Sequence, residues 1–131
     1  MALAPNGLKV AVVEDDRDLQ FIYKLKFEAA GYSVMCAADG EKGLEVAEKF
    51  RPDLILLDLR MPRMSGDKML TRLRATDWGR DMRVIILTNI SKSEAPPVLR
   101  FLHVDRYVVK AHHTPAQVVS IAQEVLGEEL V

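Results

Sequence analysis

The chain has 131 residues, with 49% hydrophobic and 28% charged side chains and a formal net charge of −1. This length fits a single domain with its own core, and the composition excludes a disordered chain. The near-neutral balance gives no overall basic footprint for nucleic acid.

The opening residues "MALAPNGLKV" lack a basic head followed by a long apolar stretch, so neither a signal peptide nor a membrane span is expected, and a soluble cytoplasmic protein is the default. "LKVAVV" (Leu8–Val13) is short, apolar and β-branched, and predicts a first strand. From Asp18 a helical period places Leu19, Ile22, Leu25 and Ala29 on one face, and Gly31 supplies the stop. "YSVMCA" predicts the second strand, and its Cys36, the single cysteine, reads as a small buried hydrophobe. Asp39-Gly40 opens a second helix with Leu44, Ala47 and Phe50 inward, and Pro52 blocks its continuation. "DLILL" is the third predicted strand. Ser65 is placed to cap a third helix carrying Met69, Leu70 and Leu73. "RVIIL" and "RYVV" predict strands four and five. Between them, Pro96-Pro97 predicts a short helix with a late start and an irregular approach. The last helix has a clear beginning: Thr114 and Gln117 have capping-box spacing, Pro115 falls at the first helical position, and Val118, Ile121, Ala122 and Val125 form the inner stripe.

Strands that are apolar throughout and alternate with helices predict a parallel sheet covered on both faces, doubly wound by right-handed crossovers. One domain over residues 1–131, with its core at about 8–127, is expected. Function in such sheets sits beyond the carboxyl ends of the strands. There the sequence places Glu14, Asp15 and Asp16 after strand one, Asp58 after strand three, Thr88 after strand four and Lys110 after strand five. Asp16 and Asp18 suit the start of the first helix. Glu14, Asp15 and Asp58 would repel one another unless something cationic held them, and a hard divalent cation such as Mg²⁺ suits their oxygens. No Cys/His spacing points to zinc, and His112-His113 reads as the solvated lead-in to the last helix.

"VVEDD", "LILLDLRMPRMSG", "LTN" and "YVVK" together resemble the signature regions of response-regulator receiver domains, whose type member is the chemotaxis regulator CheY. The resemblance runs from about Leu8 to Leu126. It implies a flavodoxin-like sheet of order 2-1-3-4-5. It implies that Asp58 accepts a phosphoryl group from a histidine kinase or histidine phosphotransfer protein. Asp15, Asp58 and the backbone carbonyl of Arg60 would bind Mg²⁺, with Glu14 acting through a metal-bound water. Lys110 and Thr88 would contact the phosphoryl oxygens, Thr88 and Tyr107 would form the switch, and Arg60 and Ile90 would flank the site and influence dephosphorylation. The module would act on itself and not as an enzyme on external substrates. Its output would be a rearranged face of the fourth helix, fifth strand and fifth helix, which controls a downstream protein or effector domain. No membrane and no direct nucleic-acid contact are implied, and a homodimer is compatible.

The sequence departs from the family at two points. Asn89 follows the threonine where a small residue is usual, and is expected to crowd the phosphoryl pocket or narrow access to it. Ala111 follows the lysine in place of proline. A cis bond before a non-proline residue costs about 3–4 kcal/mol, so a trans Lys110–Ala111 bond and a looser loop are expected. Asn89, Ala111 and Pro96-Pro97 support an alternative, a phosphorylation-independent interaction module on the same fold. The complete acidic, threonine and lysine set supports the phosphoacceptor. A phosphohydrolase with an aspartate nucleophile usually carries a second aspartate two residues on, where this chain has Arg60.

Overall fold

The structure is a computed structural model, and it describes residues 7–127. The first six residues, on which the expected absence of a leader partly rests, and the last four lie outside the described residues. Five strands, β1 (Lys9–Val13), β2 (Ser33–Ala37), β3 (Leu54–Leu57), β4 (Arg83–Thr88) and β5 (Arg106–Val109), form one parallel sheet of order β2-β1-β3-β4-β5. Four α-helices are described: α1 (Arg17–Ala29), α2 (Gly40–Phe50), α3 (Gly66–Arg74) and α4 (Pro115–Val125).

Side chains of a strand alternate between faces, and here both faces are buried. Val10 and Val12 of β1, Leu54 and Leu56 of β3, and Ile85 and Leu87 of β4 pack with α1 and α4 residues Phe27, Val118 and Ala122. Ala11, Val13, Ile55, Leu57, Val84 and Ile86 pack with Ala47 of α2 and Met69, Leu70 and Leu73 of α3. Cys36 is half-buried on the α1/α4 side, and burial pushes its thiol above the ordinary value. Thr114 and Gln117 form the expected capping box.

Two expectations change and a third is refined. The buried face of α1 is not Ile22, Leu25 and Ala29 but Tyr23 and Phe27, flanked by Leu19; Ile22 and Leu25 are 40% and 48% exposed. Tyr23 and Phe27, spaced i, i+4, turn their rings to the sheet, at 2% and 0% exposure. Phe27 then meets Tyr32 edge-on, with centroids 5.5 Å apart. Ser65 occupies the N-cap of α3 but makes no side-chain cap bond, and Gly66 N–H instead donates to Leu59 O at 2.9 Å. The short fourth helix is a 3₁₀ segment, Pro97–Phe101, preceded by a 3₁₀ turn at Lys92–Glu94. Adjacent prolines remove two donors, and the segment settles into the tighter helix used for short pieces.

Arg74, at the end of α3, fixes the far end of that segment. Its guanidinium donates to Leu102 O, Gly79 O, Met82 O and His103 O at 2.7–2.9 Å. Burial pulls its pKa below the usual arginine value, against the neighbouring Asp105 and Asp81. Arg74→Met keeps the stem and removes every donor. We expect a loss of about 2 kcal/mol in urea unfolding with an unchanged m-value. Arg74→Lys recovers only part, because an ammonium cannot reproduce the fork.

Candidate functional site

Strands β1 and β3 are neighbours, yet the chain leaves them toward opposite sides of the sheet, so a crevice opens at their carboxyl ends. Glu14 and Asp58 are the first residues past those ends. Each is still held by the ladder through its own backbone: Glu14 N–H donates to Ala37 O at 2.9 Å, and Asp58 N–H to Val13 O at 3.1 Å. Both carboxylates are therefore rigidly placed, and both are buried, at 3% and 7% exposure. Asp15 is exposed, and the carboxylates of Glu14, Asp15 and Asp58 lie within 4.8 Å of one another.

One cation sits among them. Lys110 Nζ donates to Asp58 Oδ2 at 2.9 Å and to Glu14 Oε1. Burial lowers the affinity of the amine for its proton, but the bonds to Glu14 and Asp58 outweigh it and hold the pKa above the ordinary lysine value. Glu14 is pushed up by burial, and Lys110 and Asp16 N–H offset only part of that. The other oxygen of each carboxylate accepts from backbone donors. Asp58 Oδ1 takes Leu59 N–H at 2.7 Å and Arg60 N–H at 3.4 Å, and Glu14 Oε2 takes Asp16 N–H at 3.0 Å. Asp16 also caps α1, accepting from Asp18 N–H and Leu19 N–H, as its position suggested.

The other expected residues form a second group beside the first. Thr88 is buried at the end of β4, and its Oγ1 accepts from Ile90 N–H at 3.4 Å. Tyr107 is half-buried and its hydroxyl donates to Ile90 O at 2.7 Å, so Thr88 and Tyr107 meet at one peptide segment. The Arg60 side chain is exposed, and Ile90 packs against the α2/α3 core. Asn89 Oδ1 accepts Ala111 N–H at 3.1 Å, and the Lys110–Ala111 bond is trans. The loop expected to be loose is thus tethered. His112 and His113 join no metal-type cluster among the described residues; His113 Nδ1 contacts Val109 O at 3.1 Å.

Sequence reasoning missed two contributors. Gln20 Nε2 donates to Glu14 O at 2.9 Å and Ala37 O at 3.1 Å, tying α1 to the ends of β1 and β2. Gly66 lies so near the carbonyl of Asp58 that an added Cβ would stand 2.0 Å from that oxygen. The glycine in "RMSG" was visible; its neighbour was not.

All-oxygen donors clustered around a crevice fit a hard cation of the Mg²⁺ class and not a thiophilic one. Carboxylates gathered about one lysine at the switch point of this parallel sheet define the class as a CheY-like α/β protein. A family model for the response regulator receiver domain matches residues 10–123, and the chain belongs to that family of two-component signalling modules. Members of the family bind Mg²⁺ at an acidic site and work with histidine kinases. The chain is 34% identical over 84 residues to the DNA-binding dual master transcriptional regulator RpaA of Synechocystis, covering 64% of this chain and 35% of that protein. It is 36% identical over 80 residues to sporulation initiation phosphotransferase F of Bacillus subtilis, covering 61% and 63% respectively. The chain thus matches about a third of one relative and under two thirds of the other. It also superposes on the receiver domain of the sensor histidine kinase PA1611 from Pseudomonas aeruginosa PAO1, solved with magnesium coordinated in the active site cleft. That match has a TM-score of 0.80 and 27% identity, and covers 92% of this chain and 98% of that one. Among the described residues no helix is long and apolar enough to cross a membrane.

Proposed function

We propose that Asp58 accepts a phosphoryl group from the phosphohistidine of a histidine kinase or phosphotransfer protein, within a cytoplasmic receiver unit spanning about residues 8–127. The observation that carries this reading is the Lys110 ammonium held between Glu14 and Asp58 in a buried carboxylate cluster. A carboxylate oxygen of Asp58 forms the new P–O bond as the P–N bond breaks, which leaves an acyl phosphate on the protein and returns the pair of electrons to the imidazole. The transition state is loose, so positioning and charge neutralisation carry the catalysis. Glu14, Asp15, Asp58 and the carbonyl of Arg60 would hold Mg²⁺, which when bound neutralises charge on the phosphoryl oxygens. Lys110 exchanges its contact with Asp58 for the phosphoryl group. Thr88 accepts from Ile90 N–H, which leaves its own hydroxyl proton to be donated to a phosphoryl oxygen.

The same Ile90 supports a route outward. A shift of Thr88 toward the phosphoryl group pulls on Ile90 N–H, and Ile90 O is the acceptor of the Tyr107 hydroxyl. Tyr107 lines a cavity of about 590 Å³ beside the 3₁₀ segment, with Pro96, Pro97, Leu99 and Arg106. Phosphorylation would therefore rearrange the face made by that segment, β5 and α4, and this face would control a downstream protein or effector domain. Direct nucleic-acid contact is not assigned to these residues.

Beryllofluoride with Mg²⁺ tests the assignment. We expect saturable binding by the wild type and none by Asp58→Asn, read by fluorine NMR. No adduct at Asp58, with the two proteins behaving alike, would contradict it, and partner binding unchanged by a phosphodonor would favour the phosphorylation-independent module.

A further inference from the structure

We propose that Asn89 is a positioning residue for Lys110, acting through the backbone N–H of Ala111; this rests on the phosphoacceptor reading of the site. The last ladder pair between β4 and β5 is Thr88 with Val109. Beyond it the two chains diverge: β4 turns into the irregular segment that leads to Pro97, and Lys110 begins a 3₁₀ turn, Lys110–His112. Thr88 and Lys110, the hydroxyl and ammonium of the site, thus stand at the point where sheet hydrogen bonding stops. The residues that follow them restore a cross-link there. Asn89 Oδ1 accepts Ala111 N–H at 3.1 Å, and both residues are exposed, so the tether lies at the surface of the protein.

The two departures from the family pattern are therefore one device. A proline at 111 has no N–H to give, and a small residue at 89 cannot reach across. The donor is a backbone N–H, so the atom facing it must be the carboxamide oxygen, and the orientation of Asn89 is settled. What the tether holds is the backbone one residue past Lys110. The lysine side chain runs inward from there, 9% exposed, to Glu14 and Asp58. During phosphoryl transfer the ammonium must leave Asp58 for a phosphoryl oxygen while its Cα stays in place. A fixed Ala111 supplies that fixed end, so the motion is confined to the side chain.

The test uses Asn89→Ala and Asn89→Asp in the full chain, with amide exchange at Ala111 and titrations of Mg²⁺ alone and of beryllofluoride at saturating Mg²⁺. Loss of one net hydrogen bond corresponds to about fivefold, so Asn89→Ala should speed Ala111 exchange and weaken beryllofluoride by about that factor. Mg²⁺ affinity alone should not fall, because Asn89 touches no carboxylate of the cluster and a loosened Lys110 competes less for the oxygens of Glu14 and Asp58. Asn89→Asp keeps an acceptor oxygen and should keep the Ala111 amide protected. In a Lys110→Gln background, Asn89→Ala should add nothing. An equal loss of Mg²⁺ and beryllofluoride affinity, or an unchanged beryllofluoride affinity in Asn89→Ala, overturns the proposal alone. A wild type that forms no adduct overturns the phosphoacceptor reading and the proposal with it.

Discussion

Lys110→Ala should lose about 3 kcal/mol of stability at pH 7, because it strips the ammonium from two buried carboxylates and leaves them unpaired. The sign of its pH dependence follows from linkage. Lys110 has a folded pKa above its ordinary value of 10.5, so the protonated amine stabilises the wild type fully below that value. The contribution is lost as pH rises through the folded value. Glu14 behaves differently. Burial already places its pKa above the ordinary 4.5, so the folded state binds its proton more tightly and stability falls as pH climbs through the raised value. Without Lys110 that value rises further. The deficit of Lys110→Ala should therefore be greatest at neutral pH and shrink as pH falls and Glu14 takes up a proton. Added Mg²⁺ should raise the melting temperature of the variant more than that of the wild type, since a cation that binds only the folded cluster stabilises it by mass action. Thermal scans across pH, with and without Mg²⁺, check both points. A variant as stable as the wild type at pH 7 would mean that the pair is not the buried contact described.

Gly66→Ala should cost at least as much, for a reason with no electrostatics in it. The new Cβ would lie 2.0 Å from Asp58 O and 3.0 Å from Leu59 Cα, and both obstacles are backbone. A flexible side chain could swing aside; the end of a central strand held on both edges cannot. We expect about 3 kcal/mol of destabilisation. The molecules that remain folded must displace the carbonyl of the proposed phosphoacceptor, so beryllofluoride binding should fall more steeply than the folded fraction. Urea unfolding and beryllofluoride titration of the same sample separate the two effects. A stable Gly66→Ala with normal binding would show that α3 can withdraw from Asp58 at little cost.

Which features could be foreseen depends on the range over which they are written. Leu54–Leu57 followed by Asp58 is a local pattern: four apolar residues make a doubly buried strand, and the next residue must stand where the chain leaves the core. The carboxylate, hydroxyl and lysine positions follow from that logic applied to each strand, once the sheet is known to be parallel. The inner stripe of α1 is ambiguous in the sequence, because Leu19, Ile22, Leu25 and Ala29 and the competing set Leu19, Tyr23 and Phe27 both have helical spacing. Only the position of the sheet and Tyr32 chooses between them. Arg74 was silent because its four acceptors are carbonyls of loops 5 to 29 residues away. Asn89 and Ala111 are each visible as departures, and each alone suggests a disturbed site. Their hydrogen bond exists only because β4 and β5 end side by side, which neither segment states. The twin prolines signal a disruption, but the residue pattern does not distinguish a short α-helix from the 3₁₀ segment that forms.

Peptide mapping of the phosphorylated protein decides whether Asp58 is the phosphoacceptor. The chain is incubated with Mg²⁺ and a small-molecule phosphodonor, reduced with borohydride to trap the acyl phosphate, digested and sequenced by mass spectrometry. The trapped residue should be Asp58, with Asp15 and Glu14 unmodified, and omitting Mg²⁺ should abolish the signal. A label on another residue, or none on a protein shown to be folded, would contradict it.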